Sequence, residues 1–150
     1  MAISELLSPE KIFLDVEVTS KKKLLELIAN IAADQTLLPQ SAIYNNLLNR
    51  ERLGSTGLGQ GFAVPHARLP DLHVTVGCFF RLKQAVNFES PDNRPVDLVF
   101  TIIIPEDANE EHLQILSSLA QIFSNPDVCE AIRGAASKED IEKIIQSAEQ

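Results

Sequence analysis

The chain has 150 residues, of which 45% are apolar and 23% charged, with a formal net charge of −8. That is the composition of one globular domain with a real core, and it excludes disorder through low hydrophobicity. The acidic balance makes nucleic acid a poor partner, because phosphate backbones call for clustered Lys and Arg.

In chain order, "KIFLDV" reads as a short strand. Ser20 is a candidate N-cap, and Leu24, Leu25, Leu27, Ile28 and Ile31 mark one face of the helix behind it. The only basic run, Lys21–Lys23, reads as a solvated helix start. "TLLP" ends that unit, and Pro39 suits the first turn of a second helix with Ile43, Leu47 and Leu48 as its stripe. Arg50 and Arg52 fall in its last turn, where cations favour the helix dipole. A glycine-rich stretch follows and reads as a loop. "VTVGCFFRL" is a strand with a buried centre, and "VDLVFTIII" has the continuous apolar run of a central strand covered on both faces. Pro105 ends it. Asn109 caps a helix carrying Ile115, Leu116, Leu119, Ile122 and Phe123. Asn125–Pro126 breaks that helix and starts a shorter one. Ser137 with Asp140 resembles a capping box for the last, whose face is Ile141, Ile144 and Ile145. Strands mixed with helices predict an α/β fold, a small sheet with helices on both faces.

The start, "MAISELLSPEK", lacks the basic and long apolar regions of a signal peptide, and the longest apolar run, near Leu98–Ile104, is far short of a membrane span. The two cysteines, Cys78 and Cys129, read as buried thiols of a reducing cytoplasm rather than a disulfide framework.

Four of the six glycines lie between Gly54 and Gly61, in "GSTGLGQGFAVPHARLP". "GLGQG" does not fit the dinucleotide fingerprint, and there is no Gly-Lys-Ser/Thr of a phosphate loop. The three histidines, His66, His73 and His112, lack metal-ligand spacing, and GxSxG is absent, which weakens a Ser-His-Asp hydrolase without excluding one. Backbone N–H groups around Gly54, Gly57, Gly59 and Gly61 could converge on an anion. Pro65 holds Val64 extended, and in an extended segment His66 and Arg68 share a face. A guanidinium pairs two phosphate oxygens, and a neutral imidazole attacks phosphorus without a metal. His112 falls three residues after the Asn109 cap, at a helix N-terminus that favours anions, on the inward face where it could meet His66. Against this stand a plain turn, a hydrogen-bonded core histidine, and exposed helix-end arginines. His73, in "PDLHVTV", reads as a loop residue.

"RERLGSTGLGQGFAVPHAR" (residues 50–68) and "PVDLVFTIIIPEDANEEHLQILSSLAQIF" (residues 95–123) resemble the two signatures of enzyme IIA domains of the fructose/mannitol class, from the bacterial phosphoenolpyruvate-dependent phosphotransferase system. The resemblance covers nearly the whole chain, as a single domain of residues 1–150. It implies a small mixed sheet flanked by helices. It implies that His66 accepts a phosphoryl group from a phosphohistidine carrier protein (HPr- or NPr-like), that His112 supports the phosphoryl group, and that Arg50 is the active-site arginine. Arg68 matches a basic position, and Gly54, Ser55, Thr56, Gly57, Gly59 and Gly61 become the wall of the phosphate site. No metal or cofactor is implied.

The chain is most similar to the nitrogen-type branch, whose phosphorylation state regulates partners such as potassium transport and sensor kinases. On this reading it is a standalone cytoplasmic protein, with no fused carrier or permease and no membrane insertion. The alternatives are a sugar-specific enzyme IIA that passes phosphate to a IIB domain, and an anion-binding module without phosphotransfer.

Overall fold

The computed structural model describes residues 2–149. Two short 3-10 turns, Ile3–Leu6 and Pro9–Lys11, lead into β1 (Ile12–Val16). Helices α1 (Lys21–Thr36) and α2 (Gln40–Leu53) follow, then three short strands, β2 (Gly57–Gly59), β3 (Phe62–Ala63) and β4 (His66–Leu69). The long strands β5 (Val76–Val86) and β6 (Val96–Pro105) come next, and α3 (Glu110–Phe123), α4 (Pro126–Gly134) and α5 (Lys138–Ala148) complete the order.

The six strands form one mixed sheet in the order β1-β5-β6-β3-β2, with β4 also paired to β6. β5 runs antiparallel to β6, while β3 and β4 both run parallel to β6, one after the other along its length. Helices cover both faces, as the sequence predicts. On one side α1 and α2 bury Leu24, Leu25, Ile28, Ile43 and Leu47 against Phe80, Val99 and Ile103. On the other, α3, α4 and α5 bury Ile115, Leu119, Ile132, Ile141 and Ile145 against Phe79, Leu98, Phe100 and Ile102. β6 is therefore covered on both faces, which is why its sequence is a continuous apolar run and not an alternation.

The caps read from sequence at Ser20, Asn109 and Ser137 form, and Asn125 caps α4 as well. The side chains of Ser20, Asn109, Asn125 and Ser137 each accept a backbone N–H in the first turn of α1, α3, α4 and α5. Pro39 stands at the N-cap of α2, one position before the first turn expected of it. Both cysteines are buried free thiols, and burial pushes each thiol's pKa up.

Two readings need correction. The glycine-rich stretch is not a plain loop, because β2, β3 and β4 all lie within Gly57–Leu69. Strands of two to four residues are too short to show a period. The basic run is not wholly solvated either. Lys22 and Lys23 are exposed, but Lys21 packs over the Phe88 ring, 4.4 Å from its centroid, and its Nζ lies 3.0 Å from the buried Glu51 carboxylate.

Packing on the α3–α5 side centres on aromatic rings. Phe123 stacks on Phe62 with centroids 4.0 Å apart and on Phe79 at 6.1 Å. Such pairs add to area burial, and Phe62 belongs to the strand that leads towards His66. Phe123→Ala is expected to cost about 3–5 kcal/mol through lost burial and the cavity left behind, read as a lower urea midpoint.

Candidate functional site

His66 opens β4, opposite Ile102 of β6, and Arg68 stands opposite Ile104. Ala67 and Leu69 point into the α1–α2 core, so alternation puts His66 and Arg68 together on the other face. Their shared face is the geometry expected of an extended segment. β4 pairs with β6 on one side only, and beside its free edge lies a cavity of about 460 Å³. Its walls are Asn46, Asn49, Arg50 and Leu53 of α2, His66 to Arg68 of β4, Ile104 of β6, and Leu113 and Leu116 of α3.

The imidazole is oriented by backbone. Its Nδ1 lies 2.9 Å from the Val64 carbonyl oxygen. A carbonyl only accepts, so Nδ1 carries the proton and Nε2 keeps a free lone pair. Burial lowers the His66 pKa. The Val64 hydrogen bond opposes that shift, the nearby Arg50 cation reinforces it, Glu51 opposes it, and Arg68 adds a smaller lowering. The shift favours the neutral ring, the form in which an imidazole is a nucleophile.

Arg50 is fixed by a 2.9 Å bond from Nη1 to the Gly54 carbonyl just past the end of α2. Arg68 donates from Nη1 to the Glu106 carbonyl at 3.3 Å. Beneath Arg50 lies a buried polar knot. The Glu51 carboxylate accepts the Thr56 backbone N–H at 3.0 Å, the Thr56 hydroxyl and the Lys21 ammonium. Removing one partner of such a buried pair strands the other charge, so the knot locks the turn from α2 into β2 and with it the base of Arg50.

The structure thus brings His66, Arg50 and Arg68 together at one cavity. It does not bring His112 to that cavity. His112 lines a neighbouring depression with Leu72, His73, Thr75, Pro105 and Asp107, and its Nδ1 is buried without a hydrogen-bond partner among the described residues. The adjacent Leu113 reaches the His66 cavity instead. His73 is exposed, in the connection from β4 to β5.

The glycine segment divides. Gly54 touches the site through the Arg50 bond. Ser55 donates to the Phe88 carbonyl at 2.6 Å and accepts the Gly57 N–H, while Thr56 belongs to the Glu51 knot. Gly57 is packed so closely on Ser90 that a Cβ would lie 2.1 Å from its hydroxyl. Gly59 and Gly61, both at positive φ, shape the β2–β3 turn beside Asp92 and the Arg133–Asp97 pair. None of these loop residues lines the His66 cavity.

Sequence reasoning missed Asn46, Asn49, Leu53, Glu51, Lys21 and the Val64 carbonyl. Asn46 lies four residues before Arg50 and Leu53 three after it on α2, so helical spacing from that arginine would have found both. No local signal marks the other four.

Comparison with known proteins decides the family. The family model for the phosphoenolpyruvate-dependent sugar phosphotransferase system, EIIA 2, matches residues 5–148. The chain belongs to this family. It is a component of a phosphotransferase system, and its fold is the EIIA fold. The nitrogen regulatory protein of Bradyrhizobium diazoefficiens is 38% identical over 145 residues, covering 97% of this chain and 95% of that one. That of Escherichia coli strain K12 is 37% identical over 150 residues, covering 99% and 92%. The crystal structure of nitrogen regulatory protein IIA-Ntr from Neisseria meningitidis superposes with a TM-score of 0.92 at 40% identity, covering 95% of this chain and 98% of that one. Among the described residues no helix of this EIIA chain is long and apolar enough to cross a membrane, and no cluster of His, Cys, Asp and Glu could hold a metal ion.

The His66 environment sets its titration. The imidazole midpoint is expected below the ordinary value of about 6.5, with the neutral Nδ1–H form populated above it. A proton NMR titration of the His66 ring checks this, and Arg50→Gln should move the midpoint upward, since it removes a cation that opposes ring protonation.

Proposed function

We propose that the chain acts as a single cytoplasmic phosphotransfer domain that accepts a phosphoryl group on Nε2 of His66. The observation that carries this reading is the Nδ1–Val64 hydrogen bond, which leaves Nε2 as the free nucleophile beside a cavity flanked by two guanidinium groups. The donor is a phosphohistidine on a small carrier protein (HPr- or NPr-like). Nε2 attacks phosphorus as the donor's own P–N bond breaks, and the donor imidazole leaves. Phosphoryl transfer of this kind needs positioning and charge stabilisation more than covalent assistance. Arg50 and Arg68 supply charge-assisted donors to the phosphoryl oxygens, and the Asn46 and Asn49 amides offer neutral ones. His112 acts from the next depression, supporting the phosphoryl group if its ring turns towards His66. The glycine segment acts as scaffold, through Gly54 for Arg50 and through Thr56 for Glu51.

The output is regulatory. Relatives at 37–38% identity over nearly the whole chain carry the name nitrogen regulatory protein. A phosphoryl group adds about −1.5 to −2 charge to a cavity that is otherwise cationic. That cancels most of the local positive charge and switches which protein surfaces dock there, such as those of transporters or sensor kinases.

Incubation with phosphoenolpyruvate, enzyme I and the phosphocarrier should raise the intact mass by one phosphoryl group. His66→Ala should abolish the gain while leaving the fold intact, and the label should be acid-labile and base-stable, as phosphoramidates are. Full labelling of His66→Ala would reject the assignment. His112→Ala should retain partial labelling at an altered rate or lifetime, and wild-type behaviour there would leave His112 a structural role. Onward transfer to the cysteine of a IIB domain would identify a sugar-specific branch. Phosphate binding without a covalent adduct would identify an anion-binding module.

A further inference from the structure

β3 and β4 share one edge of β6. Phe62 and Ala63 pair with Leu98 and Val99, and pairing resumes with His66 opposite Ile102. Val64 and Pro65 lie between the two strands and belong to neither. Their backbone groups are nonetheless assigned. Val64 donates its N–H to the Thr56 carbonyl at 3.1 Å, and the Pro65 carbonyl accepts the Ile102 N–H at 3.2 Å. The Pro65 carbonyl takes a second bond, at 2.8 Å, from the Thr101 hydroxyl. The Val64 carbonyl is left for the His66 ring.

Thr101 is the one hydroxyl in β6, whose next neighbours on the same face are Val99 and Ile103, and it is 2% exposed. Valine has nearly the same shape, so packing alone gives no reason for the oxygen. A buried hydroxyl is unfavourable unless paired, and this one is paired with the carbonyl of the residue that precedes His66. That carbonyl and the His66 N–H form one planar peptide unit, so the hydroxyl bond holds the plane from which the His66 residue starts.

We propose that Thr101 is a positioning residue for His66. Its hydroxyl fixes the Pro65–His66 peptide plane and so sets the His66 ring against the Val64 carbonyl, which selects the tautomer that presents Nε2. The geometry stands without any assumption about activity; its catalytic consequence rests on the phosphoryl-acceptor reading above.

The test compares wild type, Thr101→Val and Thr101→Ser as full chains. Imidazole nitrogen chemical shifts of His66 report the tautomer in the unphosphorylated protein, urea unfolding reports stability, and the rate of phosphoryl acceptance from the carrier reports function. Wild type and Thr101→Ser should show the Nδ1–H tautomer. Thr101→Val should show a mixture with the Nε2–H form, and acceptance slower by about tenfold to hundredfold, the scale on which small misplacements act. If Thr101→Val does not fold, Thr101→Ala supplies the variant without a hydroxyl. A hydroxyl-free variant that keeps the Nδ1–H tautomer overturns the proposal, as does a serine variant that fails to restore it. A wild-type chain that accepts no phosphoryl group overturns the phosphotransfer reading, and the tautomer comparison then decides the role of Thr101 by itself.

Discussion

The arrangement around His66 depends on a gap in a hydrogen-bond ladder. β6 pairs along the same edge with two short parallel strands, and the two residues between them leave the ladder. A carbonyl inside a continuous ladder is occupied by a neighbouring N–H. The Val64 carbonyl is not, so it can hold the imidazole. The rigid element that makes this possible is β6, buried on both faces between two cores. A site whose ring must keep one tautomer and one orientation gains from a strand that cannot shift.

Electrostatics complete the arrangement. The chain carries a net charge of −8, yet the cavity beside His66 is bounded by Arg50 and Arg68. These cations act twice. They disfavour protonation of His66, and on the proposed reading they would favour the anionic oxygens of an incoming phosphoryl group. Glu51, next to Arg50 in sequence, partly opposes the first effect. Its bonds to Lys21 and Thr56 hold it in place and turn it into an anchor. The acidic residues near the glycine turn, Asp92 and Asp97, face Gln60, Gly61 and Arg133 instead of the cavity.

The site also explains how a small change could carry information. The cavity lies at a free sheet edge between the C-terminal end of α2 and the N-terminal half of α3, with the apolar Leu53 and Leu113 exposed at 85% and 49%. A partner docking there meets apolar rim and cationic centre together. Phosphorylation would leave the rim unchanged and neutralise the centre, so one covalent event would alter recognition without requiring refolding.

Much of this was legible in the sequence. The helix caps at Ser20, Asn109 and Ser137, the doubly covered strand that starts at Val96 and the shared face of His66 and Arg68 follow from local chemistry and period, because backbone caps and side-chain alternation are set within a few residues. The family resemblance singled out His66 and Arg50, and the structure brings them to one cavity. Contacts between distant segments were not legible. Lys21 meets Glu51 across 30 positions, Thr101 meets Pro65 across 36, and neither pairing leaves a trace in local pattern. The glycine segment looked like one loop, but tertiary packing divides it among an arginine anchor, a carboxylate knot and a turn. His112 kept its predicted place on α3, while the path of the chain between Pro105 and Glu110 decided which depression it lines. Local sequence determined which elements form and which face each side chain takes. The tertiary structure alone decided which carbonyl holds the imidazole, because a hydrogen bond depends on the placement of two groups and the chain specifies only one of them locally.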